Sequence, residues 1–444
     1  MGKNELLVRT NTSYELSKEK KRMTLHDSRF PYMTPPVPMK KHGINGIVSK
    51  NGNTAPPPPS PYQVLSRVLD FETPDQEKWW HNTAEKLSKA LIDSGYDVHR
   101  QYQYLSFYYR HVLPALGLFP TKENGIHWKS ILTRSGLPFE FSLNYQKSKS
   151  LVPFGFEPIS YQAGSDRDPF NKKATREVLS SLAKVGIGVE SDLYNHYANE
   201  LVISEKESRL IREKYGSKGL FKTQVTLAVD LQKSGEIAVK AYFYPQLKAL
   251  VKGISCDRLV FNAIRKTDAD NRFAEPIGVM EDYIYSRNCK DMSKGVPPSF
   301  SLLFSSCDFV DPSESRIKLY MSELEATWAM VEDVWTLGGR LCDSITLEGL
   351  QMVKRLWQLF KIPEGRRSEL NGFHDLSGPP PTSGHLPLIF NFELQPGRPY
   401  PIPKFYFSLF GENDMHIAEA LEQFFAEIGR DDLAQTYKRN LCSC

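Results

Sequence analysis

The stretch Arg316-Ile317-Lys318-Leu319-Tyr320 alternates strictly between polar and apolar side chains. In a β-strand, residues i and i+2 point to the same face of the sheet. The pattern therefore predicts a strand with Arg316, Lys318 and Tyr320 on one face. Ile317 and Leu319 form the opposite, apolar face.

Two further stretches repeat this combination of a cation and a phenol. Lys240 and Tyr242 share a face in segment 238–244, and Lys404 and Tyr406 share one near residue 405. The apolar faces predict packing against helices, and the polar faces predict a lumen that holds water or a ligand. Solvent-facing lysines on amphipathic strands are the alternative interpretation, but three separate occurrences favour a site.

The rest of the chain places these strands in a recurring order of helices followed by a strand pair. Helix periodicity and strand alternation predict four such units, with similar architecture but little sequence identity between them. The predicted helical segments are 76–92, 101–113, 171–187, 204–215, 246–290, 322–337 and 343–361, and the predicted strand pairs are 139–144 with 152–159, 223–231 with 237–244, 300–310 with 315–321, and 386–394 with 403–409. The fold class is therefore predicted to be α+β, with an antiparallel barrel ringed by helices.

Composition narrows the class of protein. The chain has 444 residues and a net charge of +4, which is too weak and too dispersed to indicate nucleic-acid binding. No apolar run reaches the roughly 20 residues of a membrane span, and the six cysteines are expected to be reduced in a cytoplasmic protein. Residues 1–60 are polar and proline-rich and are predicted to be a disordered arm, with a solvated tail favoured over a ligand for a partner domain. Residues 61–444 are predicted to form one folded domain.

The predicted lumen suits an allylic diphosphate. Four cations could bind the diphosphate through charge-assisted hydrogen bonds: Lys240, Arg316, Lys318 and Lys404. The tyrosines beside them could donate to phosphate oxygens, and their ring faces could stabilise a carbocation. The reaction needs both the binding of the anion and the stabilisation of the cation, because the leaving group is an anion and the allylic fragment that remains is a cation.

One carboxylate completes the predicted site. Glu140 shares a face with Ser142 and Asn144, opposite Phe139 and Phe141. A lone Glu usually lies on the surface, but inside a lumen it could accept a hydrogen bond from an indole N–H. The aspartate-rich clusters that hold magnesium on a prenyl diphosphate are not evident, and Asp431-Asp432 lacks a further carboxylate. No Walker loop, dinucleotide glycine fingerprint or HExxH is present either, so neither a metal nor a cofactor is expected.

These residues, taken together, resemble a known family. Segments 131–142, 154–159, 230–245, 315–320, 335–341 and 403–407 look like successive motifs of the fungal aromatic prenyltransferases of the dimethylallyltryptophan synthase type. The resemblance implies the ABBA fold and metal-independent Friedel–Crafts transfer from dimethylallyl diphosphate to an indole carbon. It implies that Glu140 holds the indole N–H, and that the four cations bind diphosphate. Tyr242, Tyr320 and Tyr406 would form the family's tyrosine shield.

The resemblance also bears on the acceptor and on partners. Segment 157–163 looks most similar to the indole-diterpene branch, so the acceptor is expected to be an indole diterpene or another tryptophan-derived alkaloid. The expected substrates are dimethylallyl diphosphate and this indole acceptor. The partner expected besides them is a second copy of the chain, in a homodimer.

Three departures from the family pattern motivate an alternative. Pro153 stands where the family usually has an Arg, with Lys147 or Lys149 as substitutes, and Thr226 or a neighbour stands where a lysine can take the ring proton. The base is therefore left unassigned. The family has a fifth hairpin after the helical stretch 417–441, so the domain is expected to be short at its C-terminus and the barrel unclosed. The alternative is a truncated, inactive relative that only binds a prenyl diphosphate or an aromatic ligand.

Overall fold

The structure is a computed structural model. It describes residues 6–8, 58–121, 123–145, 150–188, 191–216, 220–311, 314–368, 386–409 and 412–442. Most of the predicted arm, and Lys147 and Lys149, lie outside these residues.

The helices follow the apolar periodicity of the sequence. Helices α1 to α13 are Pro61–Val68, Pro74–Asp93, Val98–Phe107, Lys173–Lys184, Ser191–Leu201, Glu205–Tyr215, Gln246–Lys252, Cys256–Thr267, Ala274–Ser293, Trp328–Trp335, Ser344–Phe360, Asp414–Glu427 and Asp431–Cys442. A π-helical turn, Tyr108–Val112, and a 3-10 turn, Leu113–Ala115, extend α3.

Side-chain caps set several helix starts. Ser60 and Gln63 form a reciprocal capping box at α1, where Pro61 occupies the first turn. Thr73 caps α2 by accepting from the backbone N–H of Gln76, and Asp343 caps α11 in the same way. These caps satisfy N–H groups that have no partner within the helix.

The strands are short and antiparallel. Strands β1 to β12 are Leu6–Val8, Phe139–Phe141, Leu143–Tyr145, Ser150–Phe156, Val225–Leu231, Ile237–Phe243, Phe300–Asp308, Ile317–Glu323, Glu325–Ala326, Gly365–Arg366, Leu388–Leu394 and Ile402–Tyr406. Ten of them form one sheet in the order β1-β3-β4-β5-β6-β7-β8-β11-β12, with β2 also paired to β4, and β9 pairs with β10. The sheet curls into a half-barrel, with helices outside and a cavity inside.

All four predicted hairpins are present, and the prediction of an α+β fold of the ABBA type is confirmed. The first hairpin is less regular than expected, because Ser142 interrupts the strand between β2 and β3. The helical segments predicted near 246–290 are three helices, α7 to α9. Gly253 ends α7 with φ of 65°, a left-handed conformation that glycine adopts without steric cost.

Several of the described elements were not predicted: α1, α5, β1, β9 and β10. Helix α5 lies in a stretch left without assignment, and β1 lies within the predicted arm, where it pairs with β3. A three-residue strand is too short for alternation to reveal it. Its pairing is a long-range contact.

The main core lies between the sheet and the helices. The outward residues of the strands are fully buried there, among them Val239, Phe243, Leu319 and Met321. Their burial follows directly from the alternation in the sequence. The opposite strand faces are left to line the cavity.

A second apolar cluster lies where the two ends of the sheet approach each other. Helices α12 and α13 supply most of it, including Phe425 and Tyr437. Tyr145 of β3 contacts both rings, at centroid distances of 5.8 and 6.1 Å. Phe407, just beyond β12, contacts Phe360 of α11 at 5.0 Å. The C-terminal helices therefore contact both β3 and the segment that follows β12.

Candidate active site

The inside of the half-barrel is a cavity of about 970 Å³. All eight residues singled out in the sequence line it: Glu140, Lys240, Tyr242, Arg316, Lys318, Tyr320, Lys404 and Tyr406. They come from four strands that lie far apart in the chain, β2, β6, β8 and β12, with Arg316 directly before β8. Pro153 and Thr226, at the two departures from the family pattern, line it as well.

The sheet register explains why these side chains meet. Ser306 of β7 pairs with Tyr242 on one side and with Lys318 on the other. On β11, Asn391 pairs with Tyr320 and with Lys404. Residues directly opposite in an antiparallel pair point to the same face. The cations and phenols therefore form one continuous band across β6, β8 and β12.

The cations are held by carboxylates from neighbouring strands. Asp230 of β5 hydrogen bonds with Lys240. Arg316 Nε donates to Asp308 Oδ2 at 2.7 Å, and Lys404 Nζ donates to Glu393 Oε2 at 3.2 Å. These contacts fix the positions of the charged groups before any ligand enters.

The pKa values of Lys318 and Lys240 are shifted in opposite directions by their surroundings. Burial, followed by the charges of Lys240, Arg316 and Lys404, lowers the pKa of Lys318 to about 8. Burial would also lower the pKa of Lys240, but the adjacent Asp230 and Asp308 carboxylates help to raise it above its ordinary value. The surroundings of Lys318 thus favour loss of its proton, whereas those of Lys240 favour its charged form.

An aromatic wall adjoins the cations. Tyr320 lies at its centre, with ring centroids 5.7 Å from Tyr242 and 5.9 Å from Tyr406. Phe304 stacks on Tyr320 at 4.2 Å and contacts Tyr244 at 4.9 Å. Electron-rich ring faces in this arrangement can stabilise a cation formed next to the diphosphate site.

Glu140 lies on another part of the cavity wall. It occupies β2 opposite Gly155 of β4, which in turn pairs with Ala228 of β5. The cross-strand row continues to Lys240. The absence of a side chain at Gly155 leaves room for the Glu140 carboxylate, since an added Cβ would lie 3.2 Å from its Oε1.

Sequence reasoning missed several lining residues. Glu393 and Asn391 face the cavity because Phe390 and Phe392 face the core, an alternation that is readable in the sequence. Phe304 was missed because a register shift between Leu302 and Phe304 interrupts the pattern of β7. Of these two features, only the alternation around Asn391 and Glu393 can be read from the sequence without the structure.

Two general features of the described residues bear on the class of protein. No set of three or more His, Cys, Asp or Glu side chains within them is arranged to hold a metal ion. None of the helices that the structure describes combines the length and the apolar character needed to cross a membrane.

A helix-ringed antiparallel half-barrel whose lumen joins a cation cluster to a tyrosine wall defines a prenyltransferase of the ABBA class. Residues 75–440 match the family model described as tryptophan dimethylallyltransferase. The chain belongs to this family, and it is an indole prenyltransferase of the fungal type.

Individual relatives agree with the family match. Tryptophan dimethylallyltransferase 1 of Claviceps purpurea (strain 20.1) is 37% identical over 85% of this chain and 83% of its own length. Tryptophan dimethylallyltransferase of Arthroderma otae is 39% identical over 86% and 82%.

Solved structures share the fold. AnaPT from Neosartorya fischeri superposes with a TM-score of 0.75 at 34% identity, over 87% of this chain and 89% of AnaPT. NotF, in complex with brevianamide F and DMSPP, gives 0.72 at 35% identity, over 86% and 89%.

Proposed function

We propose that this enzyme transfers a dimethylallyl group from dimethylallyl diphosphate to a carbon of an indole ring. The observation that carries the proposal is that four cations and three tyrosines lie next to each other in one cavity, which Glu140 also lines. The names of the curated relatives, tryptophan dimethylallyltransferases, support the donor and the acceptor class.

The proposed reaction begins with cleavage of the bond between the allylic carbon and the diphosphate oxygen. Lys240, Arg316, Lys318 and Lys404 neutralise the departing diphosphate, and the tyrosine rings stabilise the allylic cation. An indole carbon attacks the cation, forming a carbon–carbon bond. A base then removes the ring proton and restores aromaticity.

Glu140 is proposed to act on the acceptor. Its carboxylate accepts a hydrogen bond from the indole N–H, which raises the electron density of the ring and fixes its orientation. Such preorganised charge stabilises the transition state without rearrangement during the reaction.

The acceptor is proposed to be tryptophan or a tryptophan-derived alkaloid of fungal secondary metabolism. The indole-diterpene branch stays a prediction. The names of the relatives favour tryptophan, and NotF was crystallised with brevianamide F. A cytoplasmic location and a homodimer are also proposed, and light scattering of the purified protein tests the latter.

The test is release of diphosphate from dimethylallyl diphosphate in the presence of EDTA. The acceptor panel runs from tryptophan through cyclic dipeptides to indole diterpenes. Acceptor-dependent release is the expected result, with a fall of roughly 10²- to 10³-fold in kcat/KM for Lys318→Ala. Lys266→Ala, which removes a cation ion-paired to Glu200 outside the cavity, is the control. Absence of turnover by the folded wild type with every acceptor would contradict the proposal and favour a binding-only relative.

A further inference from the structure

Glu393 is a carboxylate within the cation cluster. Its Oε2 lies 3.2 Å from Lys404 Nζ and 3.9 Å from Lys318 Nζ, and its Oε1 lies 3.5 Å from Arg316 Nη1. Three of the four cations assigned to diphosphate therefore share one anionic partner. An excess of positive charge is expected in a diphosphate site, so this carboxylate requires an explanation.

The position of Glu393 is fixed from several sides. Its strand, β11, is paired on both edges, and Glu393 lies directly opposite Lys318. Gln395 Nε2 donates to Oε1 at 2.7 Å. The side chain is 4% exposed, so water contributes little to its stabilisation. It can remain charged there because the cations surround it.

Lys240 and Arg316 pair with carboxylates other than Glu393. Lys240 pairs with Asp230, and Arg316 pairs with Asp308 as well as with Glu393. The charged groups around Lys318 are Lys240 of β6, Asp308 of β7, Arg316 directly before β8, Glu393 of β11 and Lys404 of β12. Asp230 of β5 lies behind Lys240, and the phenols of Tyr242 and Tyr320 are nearby. Cations and carboxylates thus alternate around the band.

We propose that Glu393 is a positioning residue for the leaving diphosphate, which keeps Lys318 charged and orients Lys318 and Lys404 before diphosphate binds. This inference rests on the proposed function. In the free enzyme the carboxylate is the counter-ion, and it offsets the mutual repulsion of three neighbouring cations, of which Lys318 is buried and Arg316 and Lys404 are half-buried. When diphosphate enters, its oxygens take over part of that role, and the cations are already in place.

The protonation equilibria agree with this arrangement. Burial would raise the pKa of Glu393, but the charges of Lys404, Lys318 and Arg316 hold it at about 2. The pKa of Lys318 is lowered by burial and by its cationic neighbours even with Glu393 present. Removing the carboxylate lowers it further, so Lys318 then loses its proton at a lower pH.

Glu393→Gln tests the proposal, with inorganic diphosphate as the probe and titration calorimetry as the measurement. The glutamine keeps the size of the side chain and removes the charge. At about pH 6 Lys318 is charged in both proteins, whereas at about pH 8.5 the variant has lost more of the Lys318 charge than the wild type. The ratio of variant to wild-type Kd is expected to rise roughly tenfold between these pH values. An unchanged ratio would overturn the proposal.

Two comparisons make the result specific. Glu427→Gln on α12 removes a carboxylate that is also ion-paired, to Arg355, but lies outside the cavity, and its Kd should follow the wild type at both pH values. Gln395→Met keeps the Glu393 charge and removes its hydrogen bond. It is expected to weaken diphosphate binding roughly three- to tenfold at both pH values. If Glu393→Gln does not fold, Gln395→Met tests the positioning role of Glu393 by itself. Unaltered diphosphate affinity in that variant would contradict the role.

The outcome is separable from the proposed function. Failure of the wild type to bind diphosphate at any pH would overturn the diphosphate site itself. Wild-type binding with an unaltered pH dependence in Glu393→Gln would overturn only the role of Glu393.

Discussion

Gly155 and Glu140 illustrate how much depends on single residues in the cavity wall. They face each other across β4 and β2, and a Cβ on Gly155 would lie 3.2 Å from Glu140 Oε1 and 3.3 Å from its Cγ. Those distances are shorter than ordinary van der Waals contacts. A methyl group at Gly155 would therefore displace the carboxylate proposed to hold the acceptor.

Gly155→Ala is expected to lower kcat/KM for the indole acceptor roughly ten- to hundredfold, because a displaced hydrogen-bond acceptor no longer orients the ring. Steady-state kinetics with the acceptor varied would measure this effect, and diphosphate affinity should stay the same. Gly278→Ala is the matched control, since Gly278 lies in α9 with open space around its position. Equal kinetics for Gly155→Ala and the wild type would show that Glu140 has room to adjust.

At the scale of elements, a buried ion pair joins α9 to the end of β8. Arg287 Nη2 donates to Glu323 Oε2 at 2.8 Å and to Ser299 Oγ at 3.2 Å. Glu323 is fully buried, and burial raises its pKa although Arg287 opposes that rise. The pair holds a helix behind the strand that carries Arg316 and Lys318.

Arg287→Ala is expected to destabilise the protein by about 3–5 kcal/mol, because it leaves the Glu323 carboxylate buried without its cation. Chemical denaturation at neutral pH would measure the loss. The deficit should shrink as the pH falls through the raised pKa of Glu323, where that group becomes neutral.

Arg265→Ala provides the comparison for this prediction. Arg265 of α8 pairs with Glu281 of α9, but both side chains are largely exposed. Solvent screening limits such pairs to about 0–1 kcal/mol. Similar losses for the two variants would mean that burial does not decide the contribution of these ion pairs.

At the scale of the whole molecule, helices α12 and α13 form an apolar cluster with Tyr145 of β3 and with Phe407, just beyond β12. The described residues show no strand pairing between β12 and β3, and α12 and α13 pack across the space between them. Lys404 and Tyr406 of β12 and Asn144 of β3 line the cavity at its two margins. We expect this helix pair to limit the access of water to the proposed allylic cation.

Phe425→Ala is expected to lower stability by about 3–5 kcal/mol and to loosen the contact with Tyr145. The fraction of diphosphate released without transfer to the acceptor should rise, because water reaches the cation. Product analysis by chromatography beside a diphosphate assay would measure both yields. Met415→Ala changes an exposed residue of the same helix and should leave the partition unaltered. A stable Phe425→Ala protein with the same partition would contradict the role given to α12.

The sequence by itself determined which side chains point inward. Alternation in 316–320, 240–244 and 404–406 depends only on the two-residue period of a strand, so it placed Arg316, Lys318, Tyr242 and Lys404 on polar faces without knowledge of their neighbours. The same rule places Glu393 on the polar face of segment 388–394. The four hairpins followed from the same local patterns and from the helices between them.

Only the tertiary structure decided which inward residues meet. The order of strands and their register fix Glu393 opposite Lys318, Gly155 opposite Glu140, and α12 against Tyr145. These contacts join residues that are distant in sequence, and their energies depend on burial and on neighbouring charge. Local periodicity carries no information about either quantity, so the charge balance and the closure of the cavity became visible only in the folded chain.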